Sequence, residues 1–88
     1  MSNFILTIAS PEGNIFDEEI TQVSLRGALG DLAILARHEP FMTTIRPGDI
    51  KIELPDGSEK KATCDGGILT VDAEGRATII SGSLSMQE

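Results

Sequence analysis

The sequence has few aromatic residues and no long apolar run. Its 88 residues include three phenylalanines and neither tryptophan nor tyrosine, so a core must consist mainly of isoleucine, leucine and valine. Those side chains favour β-strands when they alternate with polar residues. No apolar run approaches the roughly 20 residues that a membrane-spanning helix requires. The length predicts one small domain, and a hydrophobic content of 40% suffices for one core.

The shortage of basic residues excludes one class of partner. Seven Lys and Arg stand against fourteen Asp and Glu, which gives a formal net charge of −7. Nucleic-acid binding depends on Lys and Arg that displace counterions from phosphates, so this balance argues against a nucleic-acid partner. We interpret the acidic residues as a solvated surface that keeps the protein soluble, and a basic partner surface is the alternative.

Cysteine is nearly absent as well. The single cysteine, Cys64, cannot form an internal disulfide, which predicts a reducing compartment. The first 25 residues contain no lysine or arginine, so no positively charged region precedes the apolar stretch at residues 4–9. We therefore expect no secretory signal peptide, no arginine-rich transit segment and a soluble intracellular protein.

Short segments between closely spaced turn signals predict an all-β fold. Apolar and polar residues alternate most clearly in Asp49–Leu54 and in Glu59–Cys64, and Asp56-Gly57 between them is typical of a β-hairpin. Further strands are predicted at residues 4–9, 20–26, 68–71 and 77–80. Several short strands at such regular spacing indicate a sandwich or a barrel.

Two segments are harder to assign. Residues 29–37 have apolar positions that fit a helical stripe only loosely, and Gly30 and Pro40 bound them. Because a proline disfavours helix at the residue before it, we expect a turn, a short strand and then a loop. The acidic run Asp17–Glu19 is interpreted as a weak turn signal.

The residues that could carry chemistry do not form a recognisable catalytic or metal-binding pattern. His38 is the only histidine, and Cys64 falls at an inward position of an alternating strand, where free cysteine acts as a small hydrophobe. A Cys64–His38 hydrolase is therefore a minor hypothesis, and the scattered carboxylates form no ligand cluster. Gly27 and Gly30 predict a tight bend, because no phosphate-loop ending and no helix follows them. We expect no catalytic residue, no metal and no cofactor.

The segment around these glycines resembles a known family. GALGDLAILARHEPFMTTIRPG at residues 27–48 is similar to the signature of the ε subunit of bacterial F-type ATP synthases, the counterpart of the mitochondrial δ subunit. The likeness rests on two glycines three apart, followed by Asp31, His38 and Pro40 at fixed distances. The segments SPEG at residues 10–13, DGGILTV at 65–71 and ATIISG at 77–82 extend the resemblance over nearly the whole chain.

The resemblance implies a flattened β-sandwich of about ten short strands in two sheets, formed by residues 1–82. The C-terminal helical hairpin of the family is expected to be absent, with residues 83–88 lying where it would begin. The regulatory roles of that hairpin, ATP binding among them, are therefore not expected of this chain.

The function that the resemblance implies is mechanical. It is that of a noncatalytic rotor subunit in the central stalk, which couples the γ subunit to the c-ring during ion-driven ATP synthesis. The location implied is the cytoplasmic face of the bacterial plasma membrane, with peripheral association through the complex. The expected contacts with the polar loops of the c-ring are Gly27, Gly30 and Asp31. The expected contacts with γ are Ser10, Pro11, His38, Pro40 and Thr43. The alternative is a free-standing β-sandwich module that binds a protein or a ligand.

Overall fold

The computed structural model describes residues 3–37 and 39–87, which form ten strands and no helix. The strands are β1 (Phe4–Ser10), β2 (Gly13–Ile20), β3 (Gln22–Gly27), β4 (Gly30–Leu35), β5 (Phe41–Ile45), β6 (Gly48–Glu53), β7 (Glu59–Cys64), β8 (Gly67–Val71), β9 (Ala77–Ile80) and β10 (Leu84–Gln87). The all-β prediction is confirmed. Within the described ranges, no helix exists that could cross a membrane.

The strands form two layers that remain hydrogen-bonded to each other. The first sheet has the order β4-β3-β6-β7-β10, and the second has the order β5-β8-β9-β1-β2. They join at β3, which pairs with β6 along Gln22–Ser24 and with β5 only at Gly27. The Arg46 N–H donates to the carbonyl of Arg26 at 2.8 Å, and the Ala28 N–H donates to the carbonyl of Thr44 at 3.0 Å. The two expected sheets are therefore present as two layers, which these bonds join into one curled sheet.

The core lies between the layers and consists of the inward side chains of both. The largest fully buried apolar side chains are aliphatic: Leu6, Ile8, Ile20, Val23, Ile34, Ile50, Ile52, Leu69 and Ile79. Phe4 and Phe16 are buried at the edge of this cluster. Each fully buried aliphatic side chain contributes about 1.5–3 kcal/mol relative to leaving it exposed, so this cluster is the main source of stability.

The acidic run is a strand and not a turn, so the prediction for Asp17–Glu19 is wrong. All three residues lie within β2, which pairs with β1 in antiparallel register. The flanking Phe16 and Ile20 are buried and hold the segment against β1, while the position of β2 at the sheet edge leaves the carboxylates in water. A bulge opposite Ile8 and Ala9 adds one unpaired residue, Ile15, which is exposed.

The turns predicted from glycine and proline are present. The β6–β7 hairpin closes through the Leu54 N–H, which donates to the carbonyl of Ser58 at 2.9 Å, and Gly57 has φ +89°. Residues 30–35 form a strand between a turn and a loop, as predicted, and Cys64 points inward. Residues 84–87 add β10 to the first sheet by pairing with β7. A domain boundary at residue 82 stays a prediction.

The strand register defines two ends of the sandwich. The turns at residues 10–13, 27–30, 45–48, 64–67 and 80–84 lie together at one end, which we call the hairpin end. The connections at residues 20–22, 53–59 and 71–77, and the described parts 35–37 and 39–41 of the β4–β5 connection, lie at the other, which we call the loop end.

Candidate functional site

The Gly27–Gly30 segment is a two-residue hairpin at the hairpin end. Gly27 pairs with Gly30, and the two residues between them, Ala28 and Leu29, form the tip, where Leu29 is fully exposed. Neither tip residue has a positive φ, and the hairpin closes because Gly30 takes φ +130°. A side chain at that φ would be strained, so the bend needs glycine there.

Asp31 follows this hairpin and faces solvent. Its Oδ1 lies 3.6 Å from Nε of Arg26, the residue opposite it in β3. Both side chains are mostly exposed, so this ion pair contributes at most about 1 kcal/mol to stability. The three residues expected to contact the c-ring, Gly27, Gly30 and Asp31, thus lie together around one protruding apolar tip.

Ser10 and Pro11 form the β1–β2 turn, which also lies at the hairpin end. The Ser10 hydroxyl donates to the carbonyl of Gly13 at 3.1 Å and accepts from the Glu12 N–H at 3.3 Å. These bonds stabilise the turn and do not involve Pro11, whose ring is exposed. The turn is therefore a rigid corner beside the second sheet.

The other residues expected to contact γ lie elsewhere. Pro40 precedes β5 at the loop end. From the strand register, Pro40 and Ser10 lie about 20 Å apart on the second sheet, at opposite ends and three strands apart. Thr43 lies in the middle of β5, half-buried and on the same side as the core residues Phe41 and Ile45. His38 lies outside the described residues.

The outer surface of the second sheet has no charge on four of its strands. The outward residues of β1, β5, β8 and β9 form what we call the uncharged face: Ile5, Thr7, Ala9, Met42, Thr44, Ile68, Thr70, Thr78 and Ile80. Eight of them align in two rows across the strands, Met42–Thr70–Thr78–Thr7 and Thr44–Ile68–Ile80–Ala9. Met42 is 70% exposed and Ile80 is 52% exposed, so large apolar side chains stand in solvent both at the β5 border and within the patch.

The outer surface of the first sheet has the opposite character. Its outward positions include Arg26, Asp31, Asp49, Lys51, Glu53, Glu59 and Lys61. Two exposed ion pairs cross it, Arg26–Asp31 and Lys51–Glu59, with Nζ to Oε2 at 3.8 Å in the second. Charged side chains of both signs are the composition expected of a surface that stays in water. The two outer surfaces are therefore fitted for different environments.

Residues of the uncharged face were not among the expected contacts, although the sequence carried a signal for them. The runs Ile68–Val71 and Ala77–Ile80 are apolar or threonine at every position, whereas β6 and β7 alternate with charged residues. Strands without polar alternation are typical of sheets that are covered on both faces. Their outward residues Ile68 and Ile80 are the ones that this reasoning would have found.

The described residues offer little for catalysis or metal binding. Cys64 is 4% exposed, and its Sγ lies 3.9 Å from the carbonyl oxygen of Arg46. In the ranges that the structure describes, no group of three His, Cys, Asp or Glu side chains is close enough to hold a metal ion. The features that stand out belong to the surface: the uncharged face and the protruding hairpin.

Comparisons with known proteins agree with this architecture. An ATP synthase epsilon chain of Delftia acidovorans is 42% identical over 71 residues, which cover 81% of this chain and 51% of that protein. The chain spans 51 to 63% of the length of the curated relatives it matches.

Two solved structures share the fold. A chain in the cryo-EM structure of the Euglena gracilis mitochondrial ATP synthase, OSCP/F1/c-ring, superimposes with a TM-score of 0.91 at 23% identity, covering 98% of this chain and 54% of that one. A chain in the central stalk and c-ring structure of the Tetrahymena thermophila mitochondrial ATP synthase superimposes with a TM-score of 0.80 at 17% identity, covering 94% and 66%.

The family model for the β-sandwich domain of the ATP synthase delta/epsilon chain matches residues 3–85, nearly the whole sequence. This chain belongs to the ATP synthase delta/epsilon family, and the ten strands described above are its β-sandwich domain.

Proposed function

We propose that this protein is a noncatalytic subunit of the central stalk of a bacterial F-type ATP synthase, where it couples the γ subunit to the c-ring during ion-driven ATP synthesis. The proposal rests on relatives that are named ATP synthase epsilon chains and on the fold shared with chains of two ATP synthase structures. In this proposal the protein associates peripherally with the cytoplasmic face of the plasma membrane, through the complex.

The observation that carries the proposal is the difference between the two outer surfaces. The uncharged face presents Met42, Ile68 and Ile80 to solvent, while the first sheet carries charges of both signs. Contiguous exposed apolar side chains mark an interaction site, because burying them in a partner is favourable by about 25 cal/mol per Å². We assign the uncharged face to γ, because the Ser10 turn directly follows Ala9 at its hairpin end.

The hairpin is assigned to the c-ring. Its tip projects Leu29 fully into solvent, and the ion pair of Asp31 with Arg26 lies just behind the tip. A polar loop of the ring can meet the apolar tip and the Asp31 carboxylate together. Because β3 is hydrogen-bonded to β4, β5 and β6, the hairpin is anchored in both layers. A force applied at the hairpin is therefore carried directly into the second sheet.

This arrangement suits a coupling element and not a catalyst. Both layers bury their inward faces against one shared core, and such close-packed interiors have low compressibility. A block of this kind holds two binding surfaces at a fixed distance and orientation. The proposed role requires only that geometry, and it assigns no reaction to any side chain of the chain.

The test is a pair of lysine substitutions on opposite surfaces. Ile80→Lys places a charge in the middle of the uncharged face, and Ser24→Lys places the same charge on the outer surface of the first sheet. Binding to the γ subunit of the same ATP synthase is measured by isothermal titration calorimetry, with folding checked by circular dichroism. We expect Ile80→Lys to weaken binding at least about tenfold, because the ammonium must be desolvated or displaced, and Ser24→Lys to change it less than about twofold. Equal effects of both variants would contradict the assignment of the face.

A further inference from the structure

Across the strands, the uncharged face is charged along one of its two lateral borders. Strand β2 lies beside β1 at the edge of the second sheet, and its outward side chains Asp17 and Glu19 stand opposite Thr7 and Ile5 in the register. Both carboxylates are exposed. The Thr7 hydroxyl donates to Asp17 Oδ1 at 3.2 Å, so a residue of the uncharged face itself fixes the position of one carboxylate.

The opposite border lacks such charges. It is formed by β5, whose outward side chains are Met42 and Thr44. The charged residues that flank this strand, Glu39 and Arg46, lie outside it, two residues before its start and directly after its end. The face is therefore electrostatically asymmetric across the strands: it is negative along β2 and neutral along β5.

The uncharged face is too small to hold a partner by itself. Four strands about 4.8 Å apart and five residues long, at about 3.3 Å each, give a flat area of about 300 Å². A stable interface buries about 800 Å² on each partner. A partner that binds the face must therefore reach beyond it, and β2 is the strand that continues the sheet on the far side of β1.

We propose that the surface of γ that covers the uncharged face carries lysine or arginine side chains along one side, and that these side chains pair with Asp17 and Glu19. This inference rests on the proposed function and specifies the chemistry of the partner. Apolar contacts at Met42, Ile68 and Ile80 supply the affinity, while the charged border sets the direction in which γ lies across the strands. A partner rotated by half a turn would place its cations over the neutral border at β5.

The chain contains a matched control for this inference. Asp49 and Glu53 are an Asp and a Glu at outward positions of β6, on either side of the outward Lys51, on the charged outer surface of the first sheet. The Thr63 hydroxyl donates to Asp49 Oδ1 at 3.4 Å, just as Thr7 does to Asp17. The double variants Asp17→Asn/Glu19→Gln and Asp49→Asn/Glu53→Gln therefore remove the same charge from opposite surfaces.

The experiment measures the association rate constant with purified γ at several salt concentrations, by surface plasmon resonance with γ immobilised. Charges at the rim of an interface act mainly on this rate and on its salt dependence. We expect the β2 variant to associate about three- to tenfold more slowly than wild type at low ionic strength. The difference should vanish near 1 M salt, where the Debye length is about 3 Å. The β6 control should stay within about twofold of wild type at every salt concentration.

The outcomes separate the two proposals. If wild-type protein binds γ and the two double variants behave alike, the acidic border has no role in orientation and this inference is overturned, while the proposed function stands. If wild-type protein does not bind γ at micromolar concentration, the proposed function fails, and this inference fails with it. A slower β2 variant beside a normal β6 control supports both.

Discussion

Replacing Gly67 with alanine tests how closely β8 and β9 must approach to place Ile68 and Ile80 side by side on the uncharged face. A Cβ atom at Gly67 would overlap the carbonyl oxygen of Ile80, and it would lie 3.1 Å from that carbonyl carbon and 3.2 Å from Cα of Ser81. All three atoms belong to backbone, which cannot turn aside as the end of a flexible side chain can. We therefore expect the two strands to be forced apart at this point.

The expected cost is about 3 kcal/mol in the free energy of unfolding, the upper part of the range for overpacking. A domain of 88 residues has a total stability of about 4–13 kcal/mol, so this is a large share of it. With about 4–8 °C lost per kcal/mol in domains of this size, the Tm should fall by about 12–24 °C. Urea denaturation followed by circular dichroism gives the free energy, and a thermal scan gives the Tm.

Gly82 supplies the control for this prediction. It has no atom within 4 Å of an added Cβ and no φ in the range that favours glycine. Gly82→Ala should therefore leave stability within about 0.5 kcal/mol of wild type, or raise it slightly by reducing the entropy of the unfolded chain. A cost below about 1 kcal/mol for Gly67→Ala, or equal costs for both variants, would refute the argument from close strand approach.

Three further predictions concern single side chains. Ser81→Ala should lower the free energy of unfolding by about 1–2 kcal/mol in urea, because the buried hydroxyl donates to the carbonyl of Gly66 at 2.7 Å; an unchanged value would mean that water replaces this bond. The Ser58 hydroxyl and then the Ser58 N–H lower the pKa of Asp56, so Ser58→Ala should raise that pKa in an NMR titration. Because the pKa of Asp56 is lower in the folded state, its ionised carboxylate stabilises the fold fully above the ordinary pKa of 3.8, and this stabilisation is lost as pH falls through the folded-state pKa. A titration curve that Ser58→Ala leaves unmoved would contradict this cause. Asp31→Lys should change stability by less than about 1 kcal/mol, since its ion pair is exposed, yet lower coupled ATP synthesis in reconstituted vesicles by a larger factor; parallel losses would assign Asp31 a structural role only.

The sequence predicted the strands that have one solvent-exposed face and one buried face. In β6 and β7 the buried Ile50, Ile52 and Ala62 alternate with charged or polar residues, so the period of two is unmistakable. The glycine bend and the short strand that follows it were also predicted, because Gly30 and Pro40 bound the segment and disfavour a helix, and Gly30 indeed takes a positive φ.

Strands β2 and β5 gave no such signal, for physical reasons. Strand β2 lies at the sheet edge, where even an inward position is exposed, so the carboxylate of Glu18 stays in water. The three consecutive acidic residues therefore show no polar and apolar alternation, and the segment resembles a turn. In β5 the alternation is weak because Thr43 faces inward and Met42 faces outward. The uncharged face was missed because it depends on the register of four strands that are distant in sequence, and no single segment contains it.

The most direct test of the uncharged face as the binding surface for γ is protection of a cysteine at its centre. Thr78→Cys places a thiol in the middle of the face, Thr63→Cys places one on the opposite surface, and the native Cys64 is buried and should react slowly. The measurement is the rate of alkylation of each variant with and without saturating γ. We predict that γ slows modification of the thiol at position 78 by about tenfold or more and leaves the rate at position 63 unchanged. Equal rates at position 78 with and without bound γ would contradict the account.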